Sequence, residues 1–350
     1  FQWIPAIGQN GTYQVEFSVS DGEFTDSETV TIEVGTSFLS LPEPFPYDEV
    51  TPSQGAAGVD SEGVCFTWPE ATNSEEYRFL VSRYRDFSSM DIEIEGLTEP
   101  LYCIGTATTS LTIGGLSEPQ SNIRGPSASR TNVDLDYGQS YFWTVIGRNV
   151  HGEINYPVFG FFTQMLEGTE IESPQPLPDS AYQMVSIPLD PENPNPMAVL
   201  EDDLGPYYPA KWRLFRYESS DAQNHEYPDV PAMEPGIAYW LIAKQGVKID
   251  AQGTPVDMKS DFVICIPPGF FQLGCPFPFS VSWNDVKVRK GSVTVLIGDS
   301  GNEWISPFLW RYENGGYQLA EKLEPWEGYW VENVSDEEVE LLIPPRMAVE

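Results

Sequence analysis

Basic residues are scarce in this chain. Of 350 residues only 18 are Lys or Arg, against 53 Asp or Glu, and the formal net charge is −35. Such a balance repels phosphate backbones and anionic headgroups, which excludes nucleic acid and membrane surfaces as partners. It favours divalent cations, or else serves solubility alone. Histidine is scarcer still, with only His151 and His225. A Ser or Cys nucleophile needs a base and a group to orient that base. His151 stands in the turn-like Asn149-Val150-His151-Gly152, and His225 lies between Asn224 and Glu226, neither in a supporting motif. Asp202-Asp203 and Asp336-Glu337-Glu338 place carboxylates side by side. Glycoside hydrolysis needs two carboxyls about 5–10 Å apart across a cleft, so these runs read as solvated charge. A Gly-rich phosphate loop, His-Glu-x-x-His and EF-hand spacing are all missing, and the chain reads as a non-enzyme.

Long apolar runs are also missing. No stretch of about 18 apolar residues offers a membrane-spanning helix, and no basic segment with an apolar core resembles a leader. The chain begins without Met and is expected to be a piece of a longer protein. Cysteine is limited to four residues, Cys65 with Cys103 and Cys265 with Cys275. The even count and the separation into two local pairs lead to the expectation of two disulfides, Cys65–Cys103 and Cys265–Cys275, in an oxidising, extracellular compartment.

What is abundant points to β-structure. Apolar residues make up 41%, with 10 Trp, 17 Tyr and 19 Phe, enough to build cores and exclude disorder. The 31 Pro and 29 Gly interrupt any long helical pattern and punctuate short runs of Val, Ile, Thr, Tyr and Phe. The expected fold class is all-β, with tandem β-sandwich modules followed by a duplicated β-rich module. At this length several modules with separate cores are expected.

The duplication is written in the sequence. Glu234-Pro235-Gly236-Ile237-Ala238-Tyr239-Trp240-Leu241 is repeated as Glu324-Pro325-Trp326-Glu327-Gly328-Tyr329-Trp330-Val331. Phe215-Arg216-Tyr217-Glu218 precedes the first and Trp310-Arg311-Tyr312-Glu313 the second, while Val185-Ser186-Ile187-Pro188 matches Leu273-Gly274-Cys275-Pro276 more weakly. Repeats of 172–260 and 261–346 follow. Upstream, Tyr13, Val15, Phe17 and Val19 alternate toward Asp21-Gly22, and Val30, Ile32 and Val34 alternate back, a hairpin within a module of 1–36. Pro42, Pro44, Pro46 and Pro52 mark a stiff linker. Beyond it, Val64-Cys65-Phe66-Thr67-Trp68 and Tyr77–Val81 read as strands of a module covering 37–167.

Three family resemblances accompany these readings. Phe1-Gln2-Trp3-Ile4-Pro5, Gly11-Thr12-Tyr13, Asp21-Gly22 and Asp26-Ser27-Glu28-Thr29-Val30 resemble the second half of an Ig-like, cadherin-like repeat of bacterial surface proteins. That resemblance implies that missing strands come from upstream or from another chain. Leu135, Gly138, Tyr141, Trp143 and Val145, with the strand Val158–Thr163, resemble a fibronectin type III domain. The resemblance implies that Tyr141 bonds back across its corner and that Trp68 is buried. The module departs from that family in its extra polar stretch from Ser117 to Arg130 and in Cys65 and Cys103. The Arg-Tyr-Glu and Tyr-Trp repeat resembles paired C-terminal modules of large secreted bacterial proteins, which implies a structural role; Phe270 and Cys275 depart from its usual form.

Two ligand readings remain. Asp21, Asp26 and Glu28 flank one turn in a hairpin without Lys or Arg, and Gly298-Asp299-Ser300-Gly301-Asn302-Glu303 forms another acidic turn; either is a calcium site or a hydrophilic tip. Trp240, Trp326 and Trp330 form either core or an aromatic platform for polysaccharide, since neighbours on a strand face opposite sides. Asn10-Gly11-Thr12 and Asn333-Val334-Ser335 are N-glycosylation sequons. The reading is an extracellular structural and adhesive scaffold, a filament subunit or part of a larger surface protein, whose partners are copies of itself or neighbouring surface proteins. The rival is the noncatalytic, polysaccharide-binding region of a secreted hydrolase.

Overall fold

The computed structural model describes residues 11–34, 41–43, 45, 48–103 and 135–349. Among these described residues the fold is all-β apart from one short helix and a single 3-10 turn. The first hairpin pairs β1 (Gly11–Ser20) with β2 (Thr25–Val34) along ten residues. Its register puts Tyr13, Val15, Phe17 and Val19 on the same face as their partners Ile32, Val30, Glu28 and Asp26.

The second module contains β3 (Ala56–Val59), β4 (Cys65–Thr67), β5 (Glu76–Ser82), β6 (Ile92–Leu97), β7 (Leu101–Cys103), β8 (Ser140–Asn149), β9 (Gly152–Asn155) and β10 (Phe159–Thr163). One sheet runs β3-β10-β8-β5-β6, with β9 on β8, and the pair β4-β7 lies apart from it. Inward residues alternate along each strand, and Phe66, Trp68, Phe79, Trp143 and Phe161 form the centre of the core. Trp68 stacks on Phe79 at 5.8 Å, and the Tyr141 hydroxyl accepts the N–H of Asp136 at 3.0 Å. The Pro-rich approach is not a free spacer: Phe45 is buried in this core, and the N–H of Glu43 donates to the Thr72 carbonyl at 2.8 Å. The stretch from Ser117 to Arg130 lies outside the described residues.

The first repeat comprises β11 (Thr169–Glu172), β12 (Tyr182–Ser186), β13 (Asp190–Pro191), α1 (Pro196–Leu204), β14 (Trp212–Glu218), β15 (Gln223–Glu226), β16 (Ala238–Ala243) and β17 (Asp250–Thr254). Helix α1 starts on Asn195, whose side chain accepts the N–H of Met197, with Pro196 in its first turn, and ends at Gly205. The second repeat comprises β18 (Phe262–Ile266), β19 (Gly269–Gly274), β20 (Val281–Ser282), β21 (Lys287–Lys290), β22 (Val293–Leu296), β23 (Leu309–Glu313), β24 (Gly316–Ala320), β25 (Lys322–Leu323), β26 (Gly328–Asn333) and β27 (Val339–Ile343).

The sheets of the two repeats have one order. β12-β16-β14-β15 corresponds to β19-β26-β23-β24, and β11-β17-β13 to β18-β27-β21, to which β22 is added. The duplicated phrases therefore mark duplicated architecture. Since β11 pairs with β17 from Thr169 onward, the first repeat starts before the expected 172. The end of the chain leaves the second repeat and returns to the second module. Ala56 bridges Arg346, the N–H of Met347 donates to the Gly55 carbonyl at 2.8 Å, and Phe162 of β10 meets Phe279 at 4.9 Å.

Candidate functional site

In both repeats the Tyr-Trp pair splits across its sheet. Tyr239 and Tyr329 point into their own cores with no exposed surface. Each hydroxyl accepts a backbone N–H five residues back, Glu234 or Glu324, at 2.9 Å. Burial raises both phenol pKa values above the ordinary range, and in Tyr329 the Glu327 charge adds to burial. Trp240 and Trp330 point the other way, into a seam where the sheet containing β12 faces the sheet containing β19.

The seam is reciprocal. Trp240 meets Tyr312 edge-on at 4.9 Å, and Trp330 meets Tyr217 edge-on at 5.0 Å, each Trp capped by the Arg-Tyr-Glu tyrosine of the other repeat. The N–H of Ser186 donates to the Trp326 carbonyl at 3.1 Å, and that of Gly274 to the Gly236 carbonyl at 2.9 Å. Val185 bridges Glu327 as Leu273 bridges Ile237. Each contact appears twice with the repeats exchanged, the pattern of an isologous interface within one chain. Small residues permit the approach: a Cβ on Gly328 would lie 2.6 Å from that of Ala238. Edge-on aromatic pairs of this kind contribute about 0.5–1.5 kcal/mol each beyond their buried area.

One position breaks the symmetry. Where the first repeat has Gly236 at φ +79°, the second has Trp326 at φ +69°, a left-handed backbone that a Trp adopts only at a cost. Its ring is 6% exposed and belongs to the core of the first repeat. Trp326 is therefore a cross-repeat anchor, not a platform for sugar. Trp240 and Trp330 are half-buried packing residues, so the three do not form a common open groove.

Beyond the seam, the same face of the second repeat continues as an exposed apolar ribbon that sequence reasoning did not single out. Phe308 is 52% exposed, Trp310 36%, Tyr317 54% and Leu319 55%. By strand pairing, the corresponding residues of the first repeat are Arg213, Phe215, Asn224 and Glu226. There Arg213 grips Glu226 with two bonds of 2.6 Å and lies 4.8 Å from the Phe215 ring. This pairing, through its hydrogen bonds first, holds the Glu226 carboxyl below its ordinary range. The one sequence signal was the contrast between Gln223-Asn224-His225-Glu226 and Gly316-Tyr317-Gln318-Leu319-Ala320. Phe308 and Trp310 are 6.3 Å apart but tilted by 52°, so they do not form the coplanar pair a sugar platform needs.

The remaining expected site residues scatter. Asp21 accepts the N–H groups of Phe24 at 2.8 Å and Glu23 at 3.0 Å, and these bonds lower its pKa. Asp26 and Glu28 stand on β2 opposite Val19 and Phe17, so the three carboxylates are not gathered. Among the described residues no group of three or more His, Cys, Asp or Glu side chains is arranged to hold a metal. Asn302 closes the second acidic turn through its side chain, donating to the carbonyls of Ile297 and Ile305 at 2.7 and 2.8 Å. His151 lies exposed in its turn, and His225 contacts Asp221 at 2.9 Å.

Of the two expected disulfides, Cys65–Cys103 is present, the residues being direct partners on β4 and β7. Cys265 and Cys275 are free, which overturns the second pairing. Cys265 sits on the outer face of β18, between Ile264 and the buried Ile266. The chain then crosses to the other sheet through Pro267-Pro268-Gly269, and Cys275 ends up fully buried, 3.4 Å from the Phe277 carbonyl. Burial pushes the Cys275 thiol up to about 12. The Asn333 sequon is also overturned as a modification site: Asn333 is 2% exposed and donates to the carbonyls of Ile266 and Glu337. Asn10 lies outside the described residues.

Asp202-Asp203 proves to be more than solvated charge. Asp203 accepts the N–H of Asp250 at 2.9 Å, and Asp250 stands opposite Glu172 on β11. Partial burial, then the charges of Asp203, Asp202, Glu170 and Glu172, push the Asp250 carboxyl up to about 6. Helix α1 ends on Glu201, Asp202 and Asp203 with no basic residue in its last turn, the unfavourable end of the helix dipole for carboxylates.

Compared with known proteins, the chain matches no family model and no curated sequence.

Proposed function

We propose that this chain is a rigid, noncatalytic segment of an extracellular or cell-surface structural and adhesive protein, whose partners are copies of itself or neighbouring surface proteins. The observation that carries the reading is the reciprocal seam. Two sandwiches joined by backbone hydrogen bonds and four interlocked aromatic rings are suited to holding a fixed spacing. The Cys65–Cys103 bond suits an oxidising compartment, and the charge of −35 keeps a β-rich surface soluble.

The test uses intact cells of the source organism. A membrane-impermeant amine label should modify the protein, external protease should remove it, and nonreducing mass mapping should find Cys65 joined to Cys103. Protein protected from both reagents, with Cys65 and Cys103 as free thiols, would overturn the extracellular reading. Polysaccharide capture abolished by Trp310→Ala would replace the scaffold with the hydrolase-accessory reading.

A further inference from the structure

The apolar ribbon on β23 and β24 ends at a sheet edge. In the order β19-β26-β23-β24 the last strand has one paired side, and among the described residues no strand pairs with the other. Exposed edge strands are normally protected by charge, proline or a bulge, since their free N–H and C=O groups template further pairing. The first repeat follows that rule: its edge β15, Gln223-Asn224-His225-Glu226, has Glu226 paired to Arg213 and His225 against Asp221. The second repeat breaks it. Gly316-Tyr317-Gln318-Leu319-Ala320 has no charge, no proline and two apolar side chains more than half exposed. Because the polar version stands in the same fold in the same chain, the fold does not require the apolar one.

We propose that β24 is the self-association site of this protein, pairing antiparallel with β24 of a second copy about a two-fold axis at Gln318. An isologous contact brings each residue near the axis against its own counterpart, so any charge there meets its like. β24 satisfies that condition by having none. In this register Tyr317 faces Leu319 of the second copy, and Gly316 faces Ala320. The ladder stops there, because beyond Ala320 the chain is already paired: Lys322 and Leu323 pair with Ser282 and Val281, and the Glu321 carbonyl accepts the N–H of Trp283. The ribbon is continuous with the seam, since Trp310 is the cross-strand neighbour of both Leu319 and Trp330. Pairing would extend one sheet across both copies, strand addition in its symmetric form. A five-residue ladder with two apolar side chains per copy falls below the roughly 1,200 Å² of a standard interface. The dimer is accordingly weak, and salt strengthens it by screening the net charge over the ~8 Å Debye length of physiological ionic strength.

Sedimentation equilibrium of the whole chain, from low micromolar to several hundred micromolar at two salt concentrations, tests this. The expected result is a monomer–dimer equilibrium favoured by salt. Leu319→Lys should weaken it at least tenfold without shifting the melting temperature, and Tyr317→Lys should do the same. Val293→Lys, on the exposed edge strand β22, and Phe17→Asp, in the first hairpin, should leave it unchanged. A wild-type chain that stays monomeric throughout would overturn the proposal, as would a dimer indifferent to Leu319→Lys or one abolished by Phe17→Asp. So would a chain that stays monomeric while binding a polysaccharide or foreign peptide that Leu319→Lys releases.

Discussion

Replacing Trp326 with Gly tests whether a side chain from the second repeat holds the first repeat together. The substitution gives the second repeat the residue its counterpart has at position 236. Two effects oppose each other. Loss of a ring that is only 6% exposed removes its packing and leaves a cavity, which costs roughly 3–5 kcal/mol for a large aromatic residue. Relief of the left-handed backbone at φ +69° returns about 1–2 kcal/mol. The net loss is about 1–4 kcal/mol, and the cavity lies in the core containing Trp212, Leu214 and Tyr239. Calorimetry should show the repeat pair melting roughly 2–16 °C lower, since 1 kcal/mol moves a unit of this size by about 2–4 °C. Hydrogen exchange localises the damage, with β14 and β16 of the first repeat losing protection alongside the loop that contains position 326. Unchanged protection in β14 and β16, with destabilisation confined to the second repeat, would refute the cross-repeat anchor. An increase in stability would show that strain outweighs packing.

Four further outcomes follow from the structure. Removing the disulfide with Cys65→Ser and Cys103→Ser should destabilise the second module by roughly 4 kcal/mol, from the entropy of a loop with a sequence separation of 38; alkylation of the native protein should modify Cys265 rapidly and Cys275 only after unfolding, and equal rates would contradict the burial described. Asp250 has a folded pKa near 6 against an ordinary 3.8, so its contribution is fully present below about pH 4 and is lost as pH rises through 6; after allowance for solvent screening, Asp250→Asn should gain about 1 kcal/mol over wild type at pH 7 and nothing at pH 3.5 in urea titrations, and a pH-independent difference would remove the electrostatic cause. Calcium should raise the melting temperature above that in chelator at matched ionic strength if the acidic hairpin around Asp21, Asp26 and Glu28 gathers on a cation; identical midpoints would leave its acidity as a solubility device.

The sequence exposed the architecture further than the chemistry. Repeated phrases such as Arg216-Tyr217-Glu218 and Arg311-Tyr312-Glu313 lie on strands with equivalent places in equivalent sheets, and the alternation of Tyr239 with Trp240 separates core from outer face. Alternation assigns a residue to a face but does not say what covers that face. For that reason the mutual capping of Trp240 by Tyr312 and of Trp330 by Tyr217 was invisible, as was the insertion of Trp326 into the neighbouring core. The Cys265–Cys275 expectation failed for a related reason: a spacing of ten residues counts positions along the chain, while Pro267-Pro268-Gly269 moves the second cysteine to another sheet and to its inner side. Asp250, on β17, was missed because its acidic neighbours arrive from two other elements, β11 and α1, distant in sequence. The apolar edge at Tyr317 and Leu319 was legible only by comparing the two copies position by position, since alone it reads as an ordinary strand.

The return of Arg346–Val349 to the second module determines how tension would pass through the molecule. The N–H of Met347 is bonded to Gly55, and the N–H of Gly55 to Gly160, so the last residues adjoin the strands from which the repeats depart. The repeat pair thus forms a closed side loop, entered at Thr169 and left after Ile343. A pull applied upstream of the second module and beyond Val349 would load the contact between Gly55 and Met347 together with the bond from the Ala348 N–H to the Ser280 carbonyl of the second repeat. Once these contacts part, the whole stretch of sandwich from Thr169 to Ile343 comes into the line of force.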